Sequence, residues 1–156
     1  MSLDPLHLRD PRAALRLALA PRSIAVIGAS DNANKIGGRP LAYLARFGFK
    51  GVVYPINPTR TEVQGFRCFP SLQALPEVPD VVVVALAGEL AVEAVDACGV
   101  AGVALCIVMS SGFGESDPEG KAREQAMAAR ARARGMRIVG PNSQGMANFE
   151  IGRAHV

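Results

Sequence analysis

The sequence has no tryptophan, and aromatic residues make up only 5% of its 156 residues. Nucleic-acid-binding proteins usually combine clustered basic residues with aromatic side chains that stack on bases. The net charge here is only +3, which a small anionic ligand explains as well as a polyanion would. The scarcity of aromatic residues and the modest charge therefore argue against a nucleic-acid partner.

Cysteine and long apolar segments are also scarce. The three cysteines (Cys68, Cys98 and Cys106) show no C-x-x-C spacing, which argues against a zinc site or a disulfide framework and favours a reducing, cytoplasmic location. The longest apolar run, Val81–Gly88, is far shorter than the roughly 20 residues of a membrane-spanning helix. Charged residues occupy the N-terminus, where a signal peptide would be apolar. We therefore expect no membrane partner.

The composition is that of a globular domain, with 49% hydrophobic and 20% charged residues. We expect one domain over residues 1–149, which begins with a helical lead-in over residues 1–20. The last seven residues, EIGRAHV (Glu150–Val156), depart from the preceding pattern and match the translation of a sequencing adapter. We predict that they are a non-native tail on a truncated gene, and the alternative is a natural polar tail.

Apolar runs alternate with helical stretches along the whole chain. Between these runs, apolar residues recur at helical spacing and are followed by glycines, which predicts a helix in each of these stretches. A further helix is predicted before the first run. This alternation predicts an α/β fold, a doubly wound, Rossmann-like parallel sheet of about five strands with helices on both faces. Right-handed crossovers favour the strand order 3-2-1-4-5. The predicted strands are Ser23–Ile27, Val52–Ile56, Asp80–Leu86, Val103–Met109 and Met136–Val139.

Ligands of such sheets bind outside the carboxyl ends of the strands, so the residues after each strand are the candidates for the site. The loop after the first strand supplies Gly28, Ala29, Ser30, Lys35 and Gly37. Its glycines and small residues allow a tight turn and would let a phosphate approach backbone N–H groups near a helix N-terminus, while Lys35 adds positive charge. The loop is longer than the G-x-G-x-x-G of dinucleotide enzymes. The alternative is that these glycines serve only turning and packing.

The second strand is followed by Asn57 and Arg60. A dinucleotide enzyme that uses NAD has an acidic residue here for the ribose hydroxyls, and this chain has none. An arginine suits a phosphate on the ribose through bidentate hydrogen bonds. Both CoA, with its 3′-phosphate, and NADP, with its 2′-phosphate, carry such a group. The alternative for Arg60 is an ordinary solvated loop residue.

The remaining strand ends complete the set of candidate binding residues. The residues after the third strand are small and apolar and suit a base or a pantetheine arm, although plain packing would explain them too. The loop after the fourth strand combines hydroxyls with glycines, which permit close backbone approach. The asparagine after the fifth strand can shape a turn by bonding its own backbone. These residues are Ala85, Leu86, Ser110, Ser111, Gly112 and Asn142.

Four segments together, in this order, resemble the CoA-binding domain of NDP-forming acyl-CoA synthetases, a group that includes the succinyl-CoA synthetase α subunit and ADP-forming acetate–CoA ligase. The segments are SIAVIGAS (Ser23–Ser30), YPINP (Tyr54–Pro58), SSGFGE (Ser110–Glu115) and GPNSQG (Gly140–Gly145). The resemblance covers residues 11–149 and implies coenzyme A as the cofactor. It places the CoA diphosphate near Gly28–Ser30 and Lys35, and the adenosine end near Asn57 and Arg60. The thiol arm would run past Ala85, Leu86 and Ser110 toward Asn142.

The chain departs from the family pattern in two loops. The family often has a proline after the third strand, where this chain has Leu-Ala-Gly, and a cysteine after GPN, where this chain has Ser143. The family also works through a phosphorylated histidine in a following domain, and neither His7 nor His155 matches it. The resemblance therefore implies a chain that binds CoA but ligates nothing alone, so we assign no catalytic or metal-ligating residue.

The resemblance also implies what the complete enzyme does and what this chain needs for it. The full enzyme would interconvert acyl-CoA, ADP and phosphate with acid, CoA and ATP. Its missing parts would be downstream domains or a partner subunit with an ATP-grasp fold. Three alternatives stay open from the residues alone: an NADP-binding Rossmann domain of a dehydrogenase or sensor, a stand-alone CoA-binding protein, and the CoA-binding part of a protein acetyltransferase. The absence of G-x-G-x-x-G weighs against the first.

Overall fold

The computed structural model describes residues 11–114, 117–144, 147–148 and 154–155. Helices and strands alternate through these ranges, with a short 3-10 turn at Leu72–Ala74. The helices are α1 Pro11–Leu19, α2 Arg39–Arg46, α3 Gly88–Ala101 and α4 Pro118–Ala133. The strands are β1 Ser23–Ile27, β2 Val52–Ile56, β3 Glu62–Val63, β4 Phe66–Arg67, β5 Val81–Val84, β6 Leu105–Val108, β7 Arg137–Val139, β8 Ala147–Asn148 and β9 Ala154–His155.

Two terminal predictions lie largely outside these ranges. Of the expected helical lead-in over residues 1–20, the described part contains α1. Of the expected non-native tail, only Ala154–His155 is described, as β9 paired antiparallel with β8. Within the described residues, no helix combines the length and the apolar character needed to cross a bilayer.

Five strands form a parallel sheet in the order β2-β1-β5-β6-β7. The predicted fold class, a Rossmann-like doubly wound sheet with helices on both faces, is confirmed. The strand order within that class differs from the expected one. When the five strands are numbered as in the sequence prediction, where β5 is the third strand, the observed order is 2-1-3-4-5, whereas the expected order was 3-2-1-4-5. This is the other common order of doubly wound sheets.

The residues of β5 and β2 explain why β5, the third strand of the sequence prediction, lies beside β1 in the centre of the sheet while β2 lies at its edge. All four valines of β5 are at most 1% exposed, as expected of a strand with neighbours on both edges and helices on both faces. By contrast, β2 contains Pro55, which has no N–H to donate and therefore suits an edge strand. On the outer side of β2, the carbonyl of Pro55 accepts a hydrogen bond from the N–H of Phe69 at 2.9 Å.

The sheet divides the core into two layers. Alternate valines of β5 point to opposite faces, because successive side chains of a strand alternate. Val82 and Val84 join the layer under α3 and α4, which also contains Phe113 and Met127. Val81 and Val83 join the layer under α1 and α2. This packing buries both faces of the sheet, while loops cover the carboxyl ends of the strands.

The opposite, amino-terminal end of the sheet is joined by a buried carboxylate. Asp80, whose side chain is 3% exposed, accepts hydrogen bonds from the backbone N–H of Arg22 at 2.8 Å and from its guanidinium at 3.1 and 3.2 Å. The N–H of Asp80 donates to Ser23 Oγ at 3.2 Å. The hydrogen bonds and charge of Asp80 raise the pKa of Arg22. These contacts connect the start of β1 to the start of β5.

We expect Asp80→Ala to lower the free energy of unfolding by about 2 kcal/mol, because it leaves the Arg22 N–H without its acceptor. Urea denaturation followed by circular dichroism measures this change. The control is Glu93→Ala, which removes an exposed carboxylate from α3 and should change stability by less than about 0.5 kcal/mol. Equal stabilities for the two variants would contradict the role of Asp80.

Candidate functional site

A cleft of about 310 Å³ opens at the carboxyl ends of β1, β2 and β5. The chain passes from β1 outward to β2 and then back to the other side of β1, where β5 lies. Such a reversal of strand order creates a crevice for ligands. Eight predicted site residues line this cleft, and they come from three separate loops: Gly28, Ala29, Ser30, Lys35, Gly37, Asn57, Arg60 and Ala85.

The loop after β1 folds back on itself so tightly that three of its positions, Gly28, Gly37 and Gly38, require glycine. Gly28 has a φ of +83°, and a Cβ there would lie 2.8 Å from the carbonyl oxygen of Ala85. A Cβ on Gly37 would lie 1.9 Å from the carbonyl oxygen of Gly28. Both contacts are to backbone, which cannot rotate away as a side chain would. The glycines therefore shape the floor of the cleft.

Three backbone N–H groups at the start of this loop, where the sequence predicts that a phosphate approaches, donate to protein carbonyls. Gly28 and Ala29 both donate to the carbonyl of Ile56 at 3.2 Å, and Ser30 donates to the carbonyl of Gly37 at 3.2 Å. At the start of α2, Gly38 and Arg39 both donate to the carbonyl of Lys35, and Pro40 has no N–H. These bonds hold the shape of the loop. The side chains of Lys35 and Arg60 add positive charge at the cleft.

Two cationic side chains line the cleft, and they differ in their surroundings. Arg60 forms a 2.7 Å salt bridge with Asp31, and both side chains are about half exposed. Lys35 is exposed, and no carboxylate among the described residues lies within 4 Å of its ammonium group. Asp31 was not among the residues predicted from the sequence. The sequence feature that pointed to it is an acidic residue in the loop after β1, which can pair with the arginine in the loop after β2.

Asn57 lines the cleft and joins two of its loops. Its amide donates to the carbonyl of Ala29 at 3.0 Å, and its side-chain oxygen accepts from the N–H and the hydroxyl of Thr59 at 3.0 Å. Beneath it, burial raises the pKa of the Cys68 thiol, whose Sγ lies 3.9 Å from the carbonyl of Asn57. Asn57 therefore positions the loops after β1 and β2 relative to each other.

A second residue that the sequence analysis missed is Gln64, in the turn between β3 and β4. Its side-chain amide donates to the carbonyls of Ser30 at 2.8 Å and Gly38 at 2.9 Å, and its N–H donates to Asp31 Oδ1 at 3.0 Å. The only local signal was a Gln-Gly pair in a hairpin turn. The partners lie 26 to 34 positions earlier in the chain.

Three further predicted residues form a connected series beside the cleft. The side chain of Leu86 packs over Gly28, where a Cβ would meet Leu86 Cδ2 at 2.9 Å. The hydroxyl of Ser110, which is buried, donates to the carbonyl of Leu86. The N–H of Asn142 donates to the carbonyl of Ser110 at 2.8 Å, and Asn142 has a φ of +53°. The ends of β5, β6 and β7 are thus linked in the expected order.

The last two predicted residues do not lie on the cleft as the described residues form it. Ser111 is exposed. The carbonyl of Gly112 accepts a hydrogen bond from Arg123 of α4 at 3.3 Å, so this part of the loop contacts α4. The glutamate and the final glycine of the SSGFGE and GPNSQG segments lie outside the described residues, as does His7. Within the described ranges, no group of three or more His, Cys, Asp or Glu residues could hold a metal ion.

Comparisons with known proteins agree with this architecture. A family model described as a CoA binding domain matches residues 22–148. The ADP-forming acetate–CoA ligase I of Archaeoglobus fulgidus is 38% identical over 131 residues, which cover 84% of this chain and 19% of that protein. The α subunit of the ADP-forming acetate–CoA ligase I of Pyrococcus furiosus is 36% identical over 137 residues, which cover 85% of this chain and 30% of that subunit.

Two solved structures are also similar to this chain in both fold and sequence. A dinucleotide-forming acetyl-coenzyme A synthetase of Ca. Korarchaeum cryptofilum, in complex with phosphate and ADP, superposes with a TM-score of 0.79 at 39% identity, covering 88% of this chain and 28% of that one. A Pyrococcus horikoshii protein superposes with a TM-score of 0.82 at 34% identity, covering 88% of this chain and 31% of that one. This chain thus spans between a fifth and a third of the length of these relatives.

Proposed function

This chain belongs to the CoA-binding domain family, and we propose that it holds coenzyme A across the cleft as the CoA-binding part of an ADP-forming acyl-CoA synthetase. The observation that carries the proposal is the meeting of Lys35 and Arg60 from two different loops at one cleft at the switch point of the sheet. CoA has phosphate groups at two places, a diphosphate and a 3′-phosphate. Two separated cations match that distribution of charge.

We assign the diphosphate to Lys35 and the 3′-phosphate to Arg60. The exposed Lys35 ammonium is a mobile point charge, which suits a diphosphate that runs along the loop. The planar guanidinium of Arg60 suits bidentate bonding to a terminal phosphate. To reach it, the phosphate has to share the guanidinium with Asp31 or displace this carboxylate. The walls of this part of the site are the glycines of the first loop and the loop that Asn57 ties to it.

We assign the pantetheine arm to the series Leu86, Ser110 and Asn142. The apolar side chain of Leu86 faces the cleft floor at Gly28 and suits the hydrocarbon part of the arm. Ser110 and Asn142 bring polar groups to the ends of the next two strands, where the amides of the arm need hydrogen-bond partners. Ala85, at the end of β5, lines the cleft between the two halves of this path.

In the complete enzyme, this domain would present the CoA thiol for the reaction that interconverts acyl-CoA, ADP and phosphate with acid, CoA and ATP. We propose that the phosphohistidine and an ATP-grasp fold come from further domains or a partner subunit, and that this chain alone ligates nothing. The relatives that support this are longer ligases and ligase subunits. Because the similar proteins are CoA ligases, neither the NADP-binding nor the acetyltransferase alternative is favoured.

Calorimetric titration of the chain with CoA, dephospho-CoA and NADP tests the proposal. We expect CoA to bind, and dephospho-CoA to bind about 10-fold or more weakly, because a hydrogen bond to a charged group is worth about 1.5–3 kcal/mol. NADP serves as the control, since it carries a diphosphate and a ribose phosphate but no pantetheine arm. Binding of NADP without binding of CoA would contradict the proposed function.

A further inference from the structure

The β3–β4 hairpin lies outside the main sheet, and its turn has an unfavourable backbone. The two turn residues, Gln64 and Gly65, have φ values of +50° and +81°. Glycine adopts such angles freely, but a residue with a Cβ is disfavoured there by roughly 1–2 kcal/mol, and asparagine is the side chain that tolerates them best. In the part of the chain that the structure describes, Asn142 is the one other non-glycine residue with positive φ. Backbone strain of this kind persists only where surrounding contacts compensate for it, and it clusters at functional sites.

The length of the Gln64 side chain explains why the turn contains glutamine and not the shorter asparagine. Its amide bridges the carbonyls of Ser30 and Gly38, with distances of 2.8 and 2.9 Å. These two carbonyls mark the beginning and the end of the loop segment that carries Lys35. An asparagine would suit the backbone better, but it is one methylene shorter. The residue that is present therefore favours contact with the loop over an unstrained turn.

The backbone of the same residue holds the counter-ion of the second cation. The N–H of Gln64 donates to one oxygen of Asp31 at 3.0 Å, and the other oxygen of Asp31 pairs with Arg60 at 2.7 Å. Gln64 thus contacts the loop of Lys35 through its side chain and the partner of Arg60 through its main chain. A single residue of the hairpin is therefore connected to both cations of the cleft.

We infer that Gln64 is a positioning residue that sets the placement of Lys35 and Arg60 and thereby the affinity for the phosphate groups of CoA. The inference rests on the proposed function. The loop has further restraints of its own, since Ser30 bonds Gly37 and a Cβ at Gly37 would meet the carbonyl of Gly28. Loss of the amide should therefore loosen and shift the loop without unfolding the protein.

Two substitutions separate this role from a role in the turn alone. Gln64→Asn keeps an amide and relaxes the backbone but cannot reach both carbonyls. Gln64→Glu keeps the length but replaces the donor with a carboxylate that faces two carbonyl oxygens. We expect each variant to bind CoA about 10-fold more weakly, which corresponds to the loss of one to two hydrogen bonds. The unfolding midpoint of Gln64→Asn should stay unchanged or rise, because the strain in the turn falls.

Calorimetry with CoA and hydrogen exchange of the peptide that contains residues 30–38 provide the measurements. Faster exchange in that peptide, with weaker CoA binding in both variants, supports the inference. The matched control is Glu62→Ala, which changes an exposed residue of the same hairpin and should alter neither measurement.

Two results would overturn the inference, and they are distinguishable. If the unmodified chain binds CoA and Gln64→Asn binds it equally well, Gln64 is a structural residue and the proposed function stands. If the unmodified chain binds no CoA, the proposed function fails and the inference fails with it.

Discussion

Gly37→Ala is expected to weaken CoA binding by at least about 100-fold, because the new Cβ would lie 1.9 Å from the carbonyl oxygen of Gly28. Neither side of this contact can yield easily. Gly28 itself lies against the backbone of Ala85, where a Cβ would be 2.8 Å from the carbonyl oxygen. The loop must therefore move as a whole and carry Lys35 away from the cleft. A forced shift of this kind typically costs about 1–3 kcal/mol of stability as well.

The matched control for this prediction is Gly48→Ala, which lies after α2. Gly48 has a φ of +66°, and a Cβ there would have no atom within 4 Å, so alanine strains the backbone by roughly 1–2 kcal/mol without a clash. Denaturation should report a stability loss for both variants, whereas calorimetry should report weaker CoA binding only for Gly37→Ala. Undiminished CoA binding by a folded Gly37→Ala protein would show that the loop is not part of the site.

Arg60→Ala should remove most of the difference in affinity between CoA and dephospho-CoA. The guanidinium is assigned to the 3′-phosphate, and that phosphate is the one group that dephospho-CoA lacks. We expect CoA affinity to fall about 10- to 100-fold and dephospho-CoA affinity to change by less than about threefold, in line with about 1.5–3 kcal/mol for a charged hydrogen bond. Titration of both ligands at two salt concentrations measures the effect, since screening weakens an exposed charge contact.

Arg46→Ala is the control for this substitution. Arg46 is exposed at the end of α2 and its guanidinium lies 5.5 Å from the ring centre of Phe47, away from the cleft lining. Its replacement should leave the affinities for both ligands unchanged. If the Arg60→Ala protein still prefers CoA over dephospho-CoA as strongly as the unmodified chain does, another residue contacts the 3′-phosphate, and Lys35 is the first candidate.

The class of the fold could be predicted because its signals are local. The β-branched residues of Val81–Val84 and the glycines that follow helices occur within a few positions of the structures they specify. The positions of the loops that line the cleft followed from the same signals, since every loop after a parallel strand reaches the same edge of the sheet. For this reason, eight of the predicted site residues meet in one cleft. Ser111 and Gly112 do not, because their loop contacts α4.

The strand order and the inner construction of the site could not be predicted in the same way. Pro55 suits an edge strand, but this signal was not used in the expected order, and a local pattern does not say which strand pairs with the other edge of β1. The N–H groups of Gly28, Ala29 and Ser30, where the sequence predicts that a phosphate approaches, donate to the carbonyls of Ile56 and Gly37. Whether a donor is available depends on acceptors far away in the sequence, and periodicity carries no information about them.

The sequence by itself determined the α/β class, the loops that line the cleft and, through its resemblance to a family, CoA as the ligand. These properties depend on residue types and spacings that act within one strand, turn or helix. Only the tertiary structure decided that β5 lies beside β1, that Asp31 pairs with Arg60 and that Gln64 holds the loop of Lys35. The first of these pairs residues 57 positions apart, such as Ile24 and Val81, and the other two join residues about 30 positions apart. Their geometry exists only once the strands, the hairpin and the loop have packed together.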